Sequence, residues 1–245
     1  MSLPRPIARA AKRILYAGSA LECPVCQLSF RKFLPSTPHQ RPDARCPACD
    51  AVERDRLTIT FLRDRTDLFD GRPKRFLHIA PEPLMAKIFR RAAGEAGYLS
   101  GDLFSPRAME KMDITDIHHP DASFDVVYCS HVLEHVPDDR KAMREFCRVL
   151  KPDGWAILNV PITAEVTDED PSITDPQERL RRFGQTDHVR RYGPDYADRL
   201  RESGFEVNVF KVLDVVDAER AAKIGIEKDL ERSVFFCRRG SSAEA

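Results

Sequence analysis

The 245-residue sequence has no apolar run near the roughly 18 residues of a membrane span, so nothing in it calls for a helix inside a bilayer. The basic start MSLPRPIARAAKRILYAGSALE has no acid before Glu22 and also lacks the continuous apolar core of a secretory signal. A cytoplasmic location is expected. An organellar transit peptide ranks below a short amphipathic helix, with Ile7, Ala11, Ile14 and Leu15 on the face that packs against the body. Net charge is absent as well, since 39 Lys+Arg balance 39 Asp+Glu. That balance conceals a gradient: residues 1–75 carry 15 basic and 8 acidic side chains, residues 76–245 carry 24 and 31. A four-thiolate metal site would cancel about two of the early positive charges, leaving only a modest pull on anionic partners. Hydrophobic residues at 42% and charged residues at 32% fit a soluble globular chain. The length suits one large domain or a domain plus a small module.

With no secretory signal, the seven cysteines point to a reducing compartment, where paired cysteines more often hold metal than form disulfides. Cys23-Pro-Val-Cys26 and Cys46-Pro-Ala-Cys49 share one C-P-x-C frame and are separated by 19 residues. Each frame makes a tight knuckle that directs two thiolates at one ion, so the two together predict a closed, structural four-cysteine zinc site. The stretch between them, LSFRKFLPSTPHQRPDAR, has too few aliphatic residues for a core of its own, which leaves folding there to the metal. Cys129, Cys147 and Cys237 stand singly in apolar contexts and are expected in the core. A helix is predicted over 52–69, and the Asp70-Gly71-Arg72-Pro73 turn ends it. That turn divides an N-terminal module, residues 1–72, from a larger domain, residues 73–245.

In the larger part, strand and helix alternate with short links. RFLHIA, YLSGDL, SFDVVYCS and WAILNVP read as strands; PLMAKIFRRAAGEA and DDRKAMREFCRVL read as helices, with a short MDITDI segment between. The pattern predicts a doubly wound α/β sheet with helices on both faces. The second helix is the best marked: Ala142, Met143, Phe146, Val149 and Leu150 form one apolar face, Asp138 caps it, and Lys151-Pro152-Asp153-Gly154 stops it. Later, YGPDYADRLRESGFEVNVFKVLDVV supplies a helix and a strand, and SVFFCRR a final strand.

Between two of these elements, SHVLEHVPDD spells H-x-x-E-H through His131, Glu134 and His135, the order of an inverted zinc-hydrolase motif. That chemistry needs both imidazoles on one face of a rigid helix. Here a strand runs directly into the motif and Pro137 disfavours helical geometry at Val136, leaving barely one turn. The stretch is therefore expected to wall a ligand pocket, with Ser130 and His131 facing the ligand and Glu134 and His135 tying the turn to its neighbours.

The run FDVVYCSHVLEHVPDDRKAMREFCRVLKPDGWAILNVP resembles the middle of class I S-adenosylmethionine-dependent methyltransferases of the small-molecule, type 11-like kind. DHVRRYGPDYADRLRESGFEV is similar to the stretch before strand six of that family, so the resemblance extends over roughly residues 75–240. It implies a mostly parallel, seven-stranded Rossmann-like sheet behind a small zinc-binding module. It also implies S-adenosylmethionine as cofactor, bound at the carboxyl ends of the strands. The family's glycine-rich first turn is replaced by Leu77-His78-Ile79-Ala80-Pro81-Glu82-Pro83, without glycine. His78, Ala80, Pro81 and Glu82 take its place, Glu82 matching the cofactor's ammonium. By the same resemblance Asp102, followed by Leu103, accepts both ribose hydroxyls, and Asp113 accepts the adenine amino group with Ile114 against the ring.

The segment TAEVTDEDPSITDPQERLRRFGQTDHVRRYG is long and polar enough for a substrate lid. His188 is its candidate base or substrate orienter, with Asp187, Arg190 and Tyr192 nearby. These features imply methyl transfer to a small-molecule metabolite or natural-product intermediate, the zinc module shaping the acceptor entrance or a dimer contact. Two alternatives rank lower. In one the basic module docks RNA, although only Phe30 and Phe33 stand near the knuckles to stack on bases. In the other a glycine-free, degenerate fold serves as a non-catalytic zinc-dependent interaction protein. No membrane partner is expected, and the sequence leaves oligomeric state open.

Overall fold

The computed structural model describes residues 11–36, 41–227 and 232–240. Two compact units emerge: residues 1–71 with 210–234, and residues 72–209 with 235–245. The first break, between residues 71 and 72, falls within the Asp70-Gly71-Arg72-Pro73 turn, one residue before the expected division after 72. The assignment of 210–234 to the first unit differs from the expected uninterrupted domain over 73–245.

In the first unit, residues 11–15 are helical, but Ile14 is 80% exposed and Leu15 is also exposed, so these two do not pack as expected; Ile7 lies outside the described residues. Strands β1 (Ala17–Cys23) and β2 (Leu28–Phe30) form an antiparallel hairpin around the first knuckle. Helix α1 runs over Glu53–Arg65, with Asp55 accepting from the Val52 amide at its start. Its Arg56 is fully buried. The guanidinium donates to the carbonyls of Ala44, Ala51, Ile224 and Gly225, at 2.7 to 3.0 Å, and lies 4.4 Å over the Phe33 ring. Five fixed donors let one arginine serve four carbonyls from three chain segments. Residues 212–215, expected to extend a strand, instead form a helical turn, followed by a helix over 218–223.

The second unit is built on the strands β3 (Phe76–Ile79), β4 (Tyr98–Asp102), β5 (Glu110–Lys111), β6 (Phe124–Ser130) and β7 (Leu150–Asn159), all parallel where they pair. After the short antiparallel pair β8 (Asp168–Glu169) and β9 (Arg190–Arg191), the sheet is completed by β10 (Phe205–Lys211) and β11 (Ser233–Arg239). The order is β10-β11-β7-β6-β3-β4-β5, with β11 antiparallel to β7. The expected seven-stranded, mostly parallel sheet is present. Lys151–Gly154, read as a stop, lies inside β7, where the pairing with β6 shifts register. Helix α2 (Pro83–Ala93) covers one face, its Phe89 stacking on Phe76 at 4.7 Å and meeting His78 at 5.1 Å. Helix α3 (Asp139–Val149) covers the other, placing Ala142, Met143 and Phe146 in a core with Leu77, Ile79 and Val127. Asp138 caps α3 by accepting from the Lys141 amide, as its position predicts. Further on lie α4 (Pro176–Phe183) and α5 (Tyr196–Glu202). Cys129, Cys147 and Cys237 are all buried.

Candidate functional site

Strand β3 stands where the sheet reverses direction of growth, with β4 and β5 on one side and β6 and β7 on the other. A crevice is expected beyond the carboxyl ends of strands at such a point. A cavity of about 660 Å³ opens there, lined from β3 by Ile79 and Ala80, from β4 by Asp102, Leu103 and Phe104, and after β5 by Met112, Asp113, Ile114 and Thr115. His131, Val132 and His135–Asp138 line it beyond β6, and Asp187 completes the wall.

Ala80 and His131 end β3 and β6 in the left-handed region, at φ 49° and 57°. Glycine is the usual occupant of such positions, because a Cβ there meets the neighbouring carbonyl at a cost of about 1–2 kcal/mol. The glycine-free turn thus adopts the backbone that a glycine would allow. Asp102 Oδ1 accepts from the amides of Phe104 and Ser105, each at 2.7 Å, which fixes the carboxylate at the end of β4. Asp113 Oδ1 accepts from the amide and hydroxyl of Thr115 at 2.8 Å. These donors hold the Asp113 carboxyl below its ordinary value and keep it ionised.

Of the predicted cofactor residues, Ala80, Asp102, Leu103, Asp113, Ile114 and His131 come together on this cavity, and His78, Pro81, Glu82 and Ser130 do not line it. His78 alternates to the α2 face of β3, opposite Ile79, where it is fully buried; Tyr98 Oη lies 2.9 Å from Nδ1 and Glu82 Oε2 lies 3.1 Å from Nε2. Glu82 is thereby held by His78. Ser130 is buried at the end of β6. Phe104, 88% exposed on the cavity rim, was missed, although its place two residues after Asp102 is a usable signal.

The predicted catalytic group divides similarly. Asp187 lines the cavity, but Arg190 and Tyr192 are buried supports. Arg190 donates to the carbonyls of Leu133, Val136 and Pro137 at 2.5 to 2.9 Å, and Tyr192 donates to Asp139 Oδ2 at 2.7 Å. Both clamp the turn over Leu133–His135, the single 3₁₀ turn to which the H-x-x-E-H spelling reduces. His188 is 7% exposed, does not line the cavity, and lies with its ring centroid 4.6 Å from that of His135. Burial, reinforced by His135, pushes its imidazole below the ordinary histidine value.

In the first unit the four knuckle cysteines place their sulfurs within 4.8 Å of one another, with Cys23–Cys49 and Cys26–Cys46 at 3.7 Å. Tetrahedral ligation at a Zn–S length of about 2.3 Å sets sulfurs about 3.8 Å apart. The two knuckles repeat one backbone design. The residue after the second cysteine, Gln27 or Asp50, has φ 61° or 66° and donates its amide to the first cysteine's carbonyl at 2.7 or 3.0 Å. The donor set and its spacing fit a structural zinc ion.

Residues 65–158 match a family model described as a methyltransferase domain. Among curated proteins, the chain is 39% identical over 71 residues to the uncharacterized methyltransferase YcgJ of Bacillus subtilis, a stretch that is 29% of this chain and 26% of that protein. It is 34% identical over 101 residues to the 27-O-demethylrifamycin SV methyltransferase of Amycolatopsis mediterranei, covering 40% of this chain and 35% of that protein. The matches thus span about a quarter to a third of those relatives. Among solved structures, the chain is similar to the 1,6-didemethyltoxoflavin-N1-methyltransferase of Burkholderia thailandensis with bound S-adenosylhomocysteine, at 16% identity and TM-score 0.49, covering 77% of this chain and 78% of that one. Among the described residues no helix is long and apolar enough to cross a membrane.

Proposed function

We propose that the chain is an S-adenosylmethionine-dependent methyltransferase acting on a small-molecule acceptor, and that its four knuckle cysteines hold a structural zinc ion. The observation that carries this reading is the cavity at the strand ends, where Asp102 and Asp113 stand beside the left-handed Ala80 and His131. Its volume of about 660 Å³ lies in the usual range for a cofactor or small-molecule site. The methyltransferase-domain match over 65–158 includes all four of these residues. In this reading Asp102 receives the ribose hydroxyls, Asp113 the adenine amino group, and Ile114 and Phe104 the ring faces. The positive φ at Ala80 supports this reading over a degenerate fold, because the glycine-free turn still adopts a left-handed backbone.

Methyl transfer asks the protein chiefly to align the sulfonium with a nucleophile and to exclude water. When bound, S-adenosylmethionine supplies an electrophilic methyl group. The residues of the chain bind and orient, and Asp187 is the group from the long connecting segment that lines the cavity. One relative named above is the methyltransferase of 27-O-demethylrifamycin SV, a small molecule, which favours a small acceptor.

Calorimetric titration of the zinc-loaded protein with S-adenosylhomocysteine tests this reading. One site per chain is expected, with Asp102→Ala weakening it roughly 10- to 100-fold, about 1.5–3 kcal/mol for hydrogen bonds to a charged group. A titration without heat or thermal stabilisation at saturating ligand would falsify it.

A further inference from the structure

The H-x-x-E-H spelling suggested a helical pair of histidines, and the structure brings together a different set. Glu134, His135 and His188 each offer one ligand atom, and these atoms lie within 4.8 Å of one another, without His131. The Val189 amide donates to the Glu134 carbonyl at 2.9 Å, and Arg190 holds the carbonyls around it, so the connecting segment delivers His188 to the turn.

Two further observations point to a ligand. Glu134 is 2% exposed and His188 is 7% exposed, yet Glu134 Oε2 and His188 Nε2 have no hydrogen-bond partner among the described residues. Buried polar atoms are nearly always satisfied, and an orphaned carboxylate oxygen beside an orphaned imidazole nitrogen is a costly pair to leave dry. The partners of the two histidines also bear on their tautomers. His188 Nδ1 lies 3.3 Å from the Phe183 carbonyl and His135 Nδ1 lies 3.2 Å from Asp187 Oδ2. A proton on each Nδ1 leaves each Nε2 with a lone pair, the tautomer that a carboxylate or carbonyl behind a metal-bound histidine selects.

We propose that Glu134, His135 and His188 form a second metal site that takes a divalent transition ion, with Asp187 positioning His135 behind it. Two imidazoles and one carboxylate suit zinc, manganese, iron or cobalt and not calcium or magnesium, which prefer oxygen alone. With metal–ligand lengths of about 2.0–2.2 Å, ligand atoms on a tetrahedral ion stand about 3.3–3.6 Å apart, so closure draws each pair together by at most about 1.5 Å. Three protein ligands leave a coordination position open. His135 and Asp187 also line the cavity, which places the ion at the cavity wall. That position suits an acceptor carrying a hydroxyl group, an assignment that rests on the methyltransferase reading. Bound to the ion, the hydroxyl loses its proton to solvent more readily, and its oxygen lone pair forms the new bond to the methyl carbon. The carbon–sulfur bond breaks, and its electron pair converts the sulfonium into a neutral thioether.

The test adds cobalt(II) to the full-length, zinc-loaded protein without S-adenosylmethionine, so that its outcome is independent of cofactor binding. One equivalent beyond the zinc is expected, with visible cobalt absorption and no sulfur-to-cobalt charge-transfer band. Glu134→Gln and His188→Gln should each weaken uptake at least tenfold. Should either variant fail to fold by circular dichroism, the more exposed His135→Gln carries the same expectation. Acetohydroxamate added to the cobalt form should shift the visible band by entering the open position. Failure to take up the second equivalent, undiminished uptake by folded Glu134→Gln and His135→Gln, or a thiolate charge-transfer band overturns the site. An unchanged spectrum with acetohydroxamate overturns the open position.

Discussion

Ala80 and His131 hold left-handed backbone at the ends of neighbouring parallel strands, and both side chains line the same cavity. Strain of this kind persists where the surroundings over-determine it, most often at functional sites. Ala80→Gly is expected to relieve about 1–2 kcal/mol of left-handed strain and to lose about 0.4–1 kcal/mol to unfolded-state entropy. The net gain of roughly 0.5–1 kcal/mol appears as a rise of a few degrees in Tm. Destabilisation by more than about 1 kcal/mol in thermal denaturation would contradict that account. Asp102 and Asp113 could be proposed in the sequence through the family resemblance, and His131 as a polar group directly after a strand. His78 could not be assigned in this way, since β3 is buried on both faces and its sequence does not say which residues face the cavity.

At the scale of elements, the turn after β6 and the strand β9 are joined by a charge network in which Arg190, Arg199 and Asp139 are buried and Glu169 is exposed. Glu169 accepts from Arg190 at 2.9 Å and from Arg199 at 2.7 Å, and Arg199 also reaches Asp139 at 3.2 Å. The hydrogen bond from Arg199, aided by Arg190, holds the Glu169 carboxyl down at about 2. Because the folded value lies below the ordinary 4.5, this pairing stabilises the fold fully above the ordinary carboxylate range. The contribution falls as pH drops from about 4.5 towards 2. Glu169→Gln is therefore expected to lower Tm at neutral pH, with the gap from the parent protein narrowing as pH falls to about 3. A gap that stays constant or widens in acid would rule out Glu169 as its source. Alternating strands and helices were legible because their hydrophobic periods differ. The clamping roles of Arg190 and Tyr192 were not, because a polar loop sequence does not distinguish a solvated arginine from one that reaches buried carbonyls more than fifty residues away.

At the scale of the molecule, the first unit joins residues 1–71 to 210–234, a pairing invisible to any local pattern. Arg56 donates to Ile224 and Gly225, and Arg220 meets Glu22 at 2.7 Å, so the knuckle region and the distant segment share one set of contacts. The four-cysteine cluster was legible from the repeated C-P-x-C frame; the reach of its unit across the chain was not. Metal removal by a chelator is expected to expose both parts together, giving protease cuts within 41–71 and 210–227 at similar rates. Cuts confined to the knuckles would show that the metal supports only its own loops. The central claim is that the cavity at the ends of β3, β4 and β6 receives S-adenosylmethionine, and ultraviolet cross-linking of the methyl-labelled cofactor followed by peptide mapping tests it most directly. The account places the label on peptides containing residues 102–104, 112–115 or 131–138. Failure to label, or label confined to peptides outside the cavity lining, would contradict it.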